Sequence, residues 1–233
     1  MYDVVLLDLD LTLFDFHGSE IAAFADSITT VIDHDVDEDL FERYRVINRR
    51  VWAAVERAEL TPSEAGRRRF EELFQEIGLT EADPSAASQR FQSGLGRHGS
   101  LYDGAVEVLD ALVERARLGL VTNGISEVQR SKVRRLELDR WFDTIVISDE
   151  VGVAKPDPVM FEIALDRLGR PDRERTVMVG DSLSSDVAGA NAAGIASCWY
   201  NPDGHRRSHD TGPDHEIRRL RELLDLRSAS GPR

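Results

Sequence analysis

Val4-Val5-Leu6-Leu7-Asp8-Leu9-Asp10-Leu11-Thr12, near the start of the chain, carries the reading of the fold. The run Val4–Leu7 is apolar on successive positions, with no polar residue in alternation. That pattern suits a short strand covered on both faces, as in a sheet with helices above and below it. The run stops at two carboxylates, Asp8 and Asp10. If the strand continued they would share a face; where it ends, both can approach one point just beyond it. Carboxylates so placed repel strongly in a low dielectric unless a cation or a proton relieves them. A metal with one shared proton offers that relief, and a polar strand end with solvated aspartates is the plainer alternative.

Runs of the same kind recur at Leu118–Val121, Thr144–Ile147, Thr176–Val179 and Ile195–Trp199. Between them, Gly104–Ala116, Glu127–Leu136, Pro158–Leu168 and Ser185–Ala193 carry apolar residues at helical spacing. Pro158 and Gly169 follow the usual chemistry of helix starts and stops. Strands alternating with helices predict an α/β fold with a doubly wound parallel sheet. Residues 16–99 differ, with helical patterns over Glu20–Asp33, Asp37–Arg57, Pro62–Ile77 and Ser85–Gly96 and no convincing strand. The expected organisation is a core of residues 1–15 and 100–226, an inserted all-helical cap of residues 16–99, and a flexible tail, 227–233. Ligands in such sheets bind beyond the carboxyl ends of the strands. An insertion leaving the end of the first strand would therefore sit over the site as a lid.

With 233 residues, 41% of them hydrophobic, the chain can bury a core of ordinary size. Its formal net charge of −14 argues against nucleic-acid polymers and anionic membranes as partners. A small phosphorylated substrate stays open, because a divalent cation and a few Lys or Arg can reverse the sign locally. Cys198 is the only cysteine, so an intramolecular disulfide is excluded and a reducing, cytoplasmic setting is expected. Its flanks, IASCWY, read as a buried strand end with a packing role for the thiol. The N-terminal segment lacks a basic n-region, and no apolar run approaches the ~20 residues that span a bilayer, so a soluble protein is expected. Neither coiled-coil heptads nor an apolar surface strip indicates an oligomeric state.

Four segments at predicted strand ends carry chemistry. Asp8 and Asp10 follow the first strand. Thr122-Asn123-Gly124 follows another, a hydroxyl with a tight turn. Lys155 precedes Pro156, which biases it towards an extended backbone and an orientation beside a phosphate. Gly180-Asp181-Ser182-Leu183-Ser184-Ser185-Asp186 places acidic residues where a strand gives way to a helix, a hard-oxygen set suited to Mg²⁺. Taken singly, these also read as solvated acids, a turn, a loop lysine and a helix cap.

In this order and at these strand ends, DLDLT, TNG, AKP and GDSLSSD resemble the four motifs of the haloacid dehalogenase (HAD) superfamily of phosphohydrolases. The resemblance spans Tyr2 to about Pro202 and, with the helical insertion, is similar to the subclass with a C1 cap on a Rossmann-like core. It implies that Asp8 is the nucleophile, forming an aspartyl-phosphate, and that Asp10 is the general acid and base. It implies Mg²⁺ (or Mn²⁺ in its place) held by Asp8, the backbone carbonyl of Asp10 and Asp181, with Asp186 in support. Thr122, the neighbouring backbone of Asn123 and Gly124, and Lys155 would bind the phosphoryl oxygens. A halide leaving group needs no proton and an alkoxide does, so Asp10 favours a phosphatase over a dehalogenase.

A closer resemblance is to the YjjG-type pyrimidine 5′-nucleotidases, carried by DLDLTLFDF, YRVINRRVWAAVERAELTPSEAGRRRF, SDEVGVAKPDPVMFEIAL and VMVGDSLSSDVAGANAAGIASCWYN. It implies hydrolysis of dUMP, UMP, dTMP and analogues. The cap is then the place for specificity. There Asn48 can hydrogen-bond a pyrimidine edge and Trp52 can stack on it, or both can belong to the cap itself. Arg67, Arg68 and Arg69 are candidates to neutralise phosphate, and Phe14 and Phe16 to line the pocket or pack under the cap. Alternatives are a capped phosphatase of phosphoglycolate or sugar phosphates, a phosphomutase, and a catalytically silent nucleotide-binding protein. The histidines follow no ligand spacing, and the acidic cluster Asp33, Asp35, Asp37 and Asp39 lacks the glycine and distal glutamate of a calcium loop.

Overall fold

The structure, a computed structural model, describes residues 1–32, 36–206 and 212–227. Asp33, His34 and Asp35 of the acidic turn, His209 and the tail beyond Arg227 lie outside the described residues. The chain runs β1 (Val4–Leu7), α1 (Phe16–Ile32), α2 (Glu38–Glu56), α3 (Pro62–Glu76), α4 (Pro84–Arg97), α5 (Ala105–Val113) and β2 (Arg117–Thr122). It continues through α6 (Ser126–Arg135), β3 (Thr144–Ile147), α7 (Ser148–Val151), α8 (Pro158–Arg167), β4 (Thr176–Gly180), α9 (Ala188–Ala192), β5 (Ala196–Tyr200) and β6 (His215–Ile217).

The strands form one parallel sheet in the order β3-β2-β1-β4-β5-β6. β1 lies inside it, with Leu7 level with Leu120 of β2 and Val179 of β4. That register brings Asp8, the end of β2 and the end of β4 out of the sheet side by side. Alternate side chains serve opposite faces, as strand geometry requires. Val5 and Leu7 pack with Val108, Leu109 and Leu112 of α5, and Val4 and Leu6 pack with Met160, Phe161, Ala164 and Leu165 of α8. Burial on both faces is what the unbroken apolar run of β1 demands. The expected fold class holds.

Between β1 and α5 the chain builds α1 to α4 around a separate apolar cluster. Its centre is aromatic: the Tyr44 ring lies 4.5 Å from Phe24, 5.7 Å from Phe70 and 5.5 Å from Phe91, centroid to centroid. Each helix start is chemically marked. Asp37 caps α2 by accepting from the Leu40 N–H, Thr61 and Glu64 form a capping box on α3, and Asp83 caps α4. Ile125 and Val128, at the start of α6, complete this cluster from the sheet's side.

Three elements differ from the sequence reading. β6 was not foreseen, because a three-residue edge strand, His-Glu-Ile, has no apolar run; it pairs only with β5 and is tied down by a 2.8 Å bond between Tyr2 Oη and His215 Nε2. The helix expected over Ser185–Ala193 instead begins with a π-turn, Leu183–Val187, before α9; such wide turns are frequent at functional sites. The short α7 was also missed. Among the described residues, no helix is long and apolar enough to cross a membrane.

Phe91 has no exposed surface and touches two rings of the helical cluster. Phe91→Ala is expected to lower stability by about 3–5 kcal/mol, while Val46→Ala, half exposed on α2, changes it by under about 0.5 kcal/mol. Chemical denaturation of the two variants checks this, and equal effects would contradict the packing described.

Candidate active site

The centre of the site is a buried ion cluster. Lys155 Nζ donates to Asp8 Oδ1 at 2.5 Å, Asp186 Oδ1 at 2.7 Å and the Val121 carbonyl at 2.7 Å. An ammonium has three N–H donors, so all of them are engaged. Its main chain is held too: Asn123 Nδ2 donates to the Lys155 carbonyl at 2.9 Å, and the Lys155 N–H donates to Asn123 Oδ1 at 2.8 Å. The asparagine after β2 thus brackets a residue over thirty positions downstream, just before a cis Lys155–Pro156 bond. The Gly124 N–H donates to Ser148 Oγ at 3.0 Å.

Asp181 and Asp186 close the cluster from β4. Trp199 Nε1 on β5 donates to the Asp181 carbonyl at 2.7 Å. The Asp181 N–H donates to Thr12 Oγ1 at 3.1 Å, and that hydroxyl lies 3.3 Å from Asp181 Oδ1 and 3.4 Å from Asp8 Oδ2. A tight turn returns Thr12 over Asp8, with Leu11 in the left-handed region at φ 66°. Asp186 Oδ2 accepts from the Ser182 N–H at 3.0 Å. A Cβ on Gly180 would fall 2.1 Å from that oxygen, so only glycine leaves room for the Asp186 carboxylate.

Asp8, Asp181 and Asp186 each bring a carboxylate oxygen within 4.8 Å of the others. One lysine does not balance three acids. Burial pushes the Asp8 carboxyl up to about 7, against the pull of Lys155 and with the help of Asp186 and Asp10. Burial, then Asp186 and Asp8, hold Asp181 well above the usual carboxylate range. Burial opposes the charged form of Lys155, yet Asp186 and Asp8 outweigh it and keep the amine above its ordinary value. Crowded hard oxygen donors short of positive charge are the donor set that Mg²⁺ takes. The Asp10 carboxylate is not among these three.

Asp10 faces the other way, towards α6. Its Oδ1 accepts from Lys132 Nζ at 2.6 Å and its Oδ2 from Gln129 Nε2 at 3.0 Å. Gln129 Nε2 also donates to Thr122 Oγ1 at 2.7 Å. Above Asp10 lies a cavity of about 180 Å³, whose walls include Phe16, Asn48, Trp52, Leu95 and Ile125. A larger cleft of about 550 Å³, beside the turn between α2 and α3, is lined by none of the clustered aspartates.

Of the residues expected in the cap, Asn48 and Trp52 line the cavity over Asp10. Asn48 Nδ2 donates to Glu20 Oε1 at 2.9 Å, and Asn48 Oδ1 accepts from Arg69 Nη1 at 3.1 Å. Burial pushes Glu20 up to about 6 despite Arg69 and Arg45 nearby. Arg69 itself is buried, with its guanidinium 4.4 Å from the Phe91 ring centroid. Arg67 and Arg68 point outward to Glu71 and Glu72. The arginine run is therefore split: Arg69, in the cap core, lines the cavity over Asp10, while Arg67 and Arg68 lie at the surface. Phe16 lines the cavity, while Phe14 is fully buried in the sheet's core cluster.

Sequence reasoning left Thr12 without a role and missed Gln129 and Lys132. A signal was present: Ile125, Val128, Gln129, Lys132 and Val133 all lie on the buried side of a basic helix, at the spacing of one helical face.

A parallel sheet that ends in a buried aspartate–lysine cluster, beneath a helical unit inserted after β1, defines a doubly wound α/β protein with a carboxylate-centred site. Residues 2–194 match the haloacid dehalogenase-like hydrolase family, and the chain belongs to it. It is 32% identical over 228 residues to the pyrimidine 5′-nucleotidase YjjG of Escherichia coli, covering 97% of each chain. It is 34% identical over 239 residues to a glyceraldehyde 3-phosphate phosphatase of Methanopyrus kandleri, again covering 97% of each. Among solved structures it is similar to magnesium-bound YfnB of Bacillus subtilis, with TM-score 0.88 and 32% identity over 96% of this chain and 97% of that one. The chain is an enzyme of the phosphoric monoester hydrolase type.

A raised Asp8 gives a pH dependence with a definite sign. Its carboxyl titrates at about 7 when folded and at 3.8 in the ordinary state. The folded form therefore keeps a proton that the unfolded form releases, and that contribution to stability is lost as pH rises through about 7. A divalent cation binds the deprotonated donors. The rise in melting temperature on adding Mg²⁺, against chelator, is expected to grow between about pH 5 and pH 8 and to reach roughly 5–10 °C. Calorimetry across that range checks it; a shift independent of pH would contradict the cluster's charge balance.

Proposed function

We propose that this enzyme hydrolyses pyrimidine nucleoside 5′-monophosphates, such as dUMP, UMP and dTMP, with Mg²⁺ and through an aspartyl-phosphate on Asp8. The observation that carries the reading is the small cavity opening directly at Asp10, next to the aspartate–lysine cluster. At about 180 Å³ it is smaller than the ~300–1,000 Å³ of sites for drug-sized ligands. One six-membered ring suits it better than a fused purine. Trp52 and Phe16 offer apolar faces to such a ring. Asn48 uses one N–H and one lone pair within the protein and keeps one of each for a base edge. The likeness to YjjG supports this assignment.

In this reading residues 1–15 and 100–226 form the core and residues 16–99 the cap. Asp8 attacks phosphorus, and the ester oxygen departs with a proton from Asp10. Water then attacks the aspartyl-phosphate, giving its proton to Asp10, and the Asp8–phosphorus bond breaks to release phosphate. As Asp8 attacks, the Lys155 N–H that rests on Asp8 Oδ1 turns to a phosphoryl oxygen, the Thr122 hydroxyl holds another, and Asn123 and Gly124 shape the turn that presents them. Mg²⁺, or Mn²⁺ in its place, would be held by Asp8, Asp181, the Asp10 carbonyl and Asp186, and would neutralise phosphoryl charge. The likeness to a glyceraldehyde 3-phosphate phosphatase favours a second reading, in which a sugar phosphate occupies the same site.

Phosphate release from dUMP, UMP, dTMP, AMP, phosphoglycolate and a hexose phosphate, with Mg²⁺ and with chelator, tests the proposal. Metal-dependent release with a pyrimidine preference is expected; a preference for sugar phosphates would transfer the assignment to the second reading. Asp8→Asn is expected to lose on the order of 10³-fold or more of kcat. Trp52→Ala is expected to raise KM for dUMP about tenfold, the effect of losing about 1.4 kcal/mol of ring contact, with kcat little changed.

A further inference from the structure

Both oxygens of the Asp10 carboxylate are taken up by α6. Lys132 has no exposed surface, and its ammonium lies 4.6 Å from the Phe14 ring centroid and 5.2 Å from that of Phe16. A lysine so buried is tolerated only when an opposite charge offsets its desolvation, and Asp10 is its ion-pair partner at 2.6 Å. Gln129 is equally buried and uses its amide nitrogen twice, on Asp10 Oδ2 and on Thr122 Oγ1. Accepting from Gln129 leaves the Thr122 hydroxyl proton free to be donated elsewhere. The turn residue Gly124 is matched to this arrangement: a Cβ there would stand 2.8 Å from both Gln129 Cγ and Gln129 Nε2.

We infer that Lys132 and Gln129 are positioning residues that set the direction of the Asp10 carboxylate for proton transfer to the leaving oxygen. The inference rests on the phosphatase reading above. Lys132 fixes Oδ1 on the side of the Phe14 and Phe16 rings. Gln129 fixes Oδ2 beside Thr122, the residue assigned to the phosphoryl oxygens. One amide thus spans the acid and the phosphate-binding hydroxyl and holds the distance between them. When the ester bond breaks, Asp10, carrying a proton on a lone pair that its bonds to Lys132 and Gln129 leave free, passes it to the departing oxygen as the Asp8–phosphorus bond forms, and is left as the carboxylate that pairs with Lys132. When water attacks, the proton returns to Asp10 as that bond breaks. Neither step places a proton on Lys132 or Gln129. Both act only by holding Asp10 in line, and a misplacement of about 1 Å in such a group costs about 100-fold.

The test uses two esters that differ in their need for a proton. An alkoxide leaving from dUMP must be protonated, and the nitrophenolate leaving from p-nitrophenyl phosphate need not be. For Lys132→Met and Gln129→Leu, kcat/KM is expected to fall about 100-fold on dUMP, and at least about ten times less on p-nitrophenyl phosphate. In an Asp10→Asn background the same substitutions are expected to add no further loss on dUMP, since their target is gone. Melting temperature and Mg²⁺-induced stabilisation of each variant establish that the fold and metal cluster are intact. If Lys132→Met does not fold, Gln129→Leu carries the comparison. Equal losses on both esters, or losses that multiply with Asp10→Asn, would overturn the inference. Wild-type protein that releases phosphate from neither ester would instead sink the phosphatase reading, so the two failures are distinct.

Discussion

The Lys155 ammonium, wedged between Asp8 and Asp186, is the interaction on which the rest of the candidate site depends. Its three donors tie together the ends of three chain segments: Asp8 beyond β1, the Val121 carbonyl on β2, and Asp186 beyond β4. Burying an ammonium and two carboxylates costs several kcal/mol per ion before any attraction is counted, so such a group is tolerable only when its geometry is tightly held. The supporting contacts follow from that demand. Asn123 grips the Lys155 main chain from both sides, Gly180 makes room for Asp186, and the π-turn after β4 lets Asp186 reach back to the Ser182 N–H. Even so, the cluster is one lysine against three acids, and burial with mutual repulsion leaves Asp8 and Asp181 short of positive charge.

The second organising element is α6. Its first turn supplies Ile125 and Val128 to the apolar cluster of α1 to α4, while the next turn turns Gln129 and Lys132 towards Asp10. One rigid helix therefore joins the packing of the inserted helices to the orientation of the second aspartate. A second buried polar group, Glu20–Asn48–Arg69, sits across the cavity on α1, α2 and α3. Polar side chains at this depth restrict the core to few arrangements, because each left unpaired costs about 1–3 kcal/mol. The cavity between these two groups is thus shaped by hydrogen-bonded residues on one side of each wall and by Phe16, Trp52 and Leu95 on the other.

How much of this was readable in advance follows from the range over which each signal acts. The run Val4–Leu7 announces a doubly covered strand because burial on both faces excludes polar residues locally. Helices α2, α3 and α4 were legible from apolar residues at helical spacing; their starts are fixed by Asp37, Thr61 with Glu64, and Asp83, whose side chains bond N–H groups two or three residues away. The aspartates and the lysine were legible as acids and a base at strand ends. β6 was not, because an edge strand buries too little to need apolar residues, and its evidence is a bond between residues 2 and 215. The arginine run read as three candidates to neutralise phosphate, although Arg69 faces inward against Phe91 while Arg67 and Arg68 face Glu71 and Glu72.

By itself, then, the sequence determined the alternation of strands and helices, the long helical insertion and the presence of carboxylates where strands end, since each is a statement about neighbours in the chain. Tertiary structure decided which charges meet. Lys155 could have faced solvent; only the parallel register of β1, β2 and β4 brings it to Asp8, 147 residues away in sequence. Likewise Lys132 could have been one more basic residue on a basic helix, until packing removed it from water and left the Asp10 carboxylate as its counter-ion. Periodicity reports that a side chain is buried, but the identity of its partner depends on segments that chain order does not bring together.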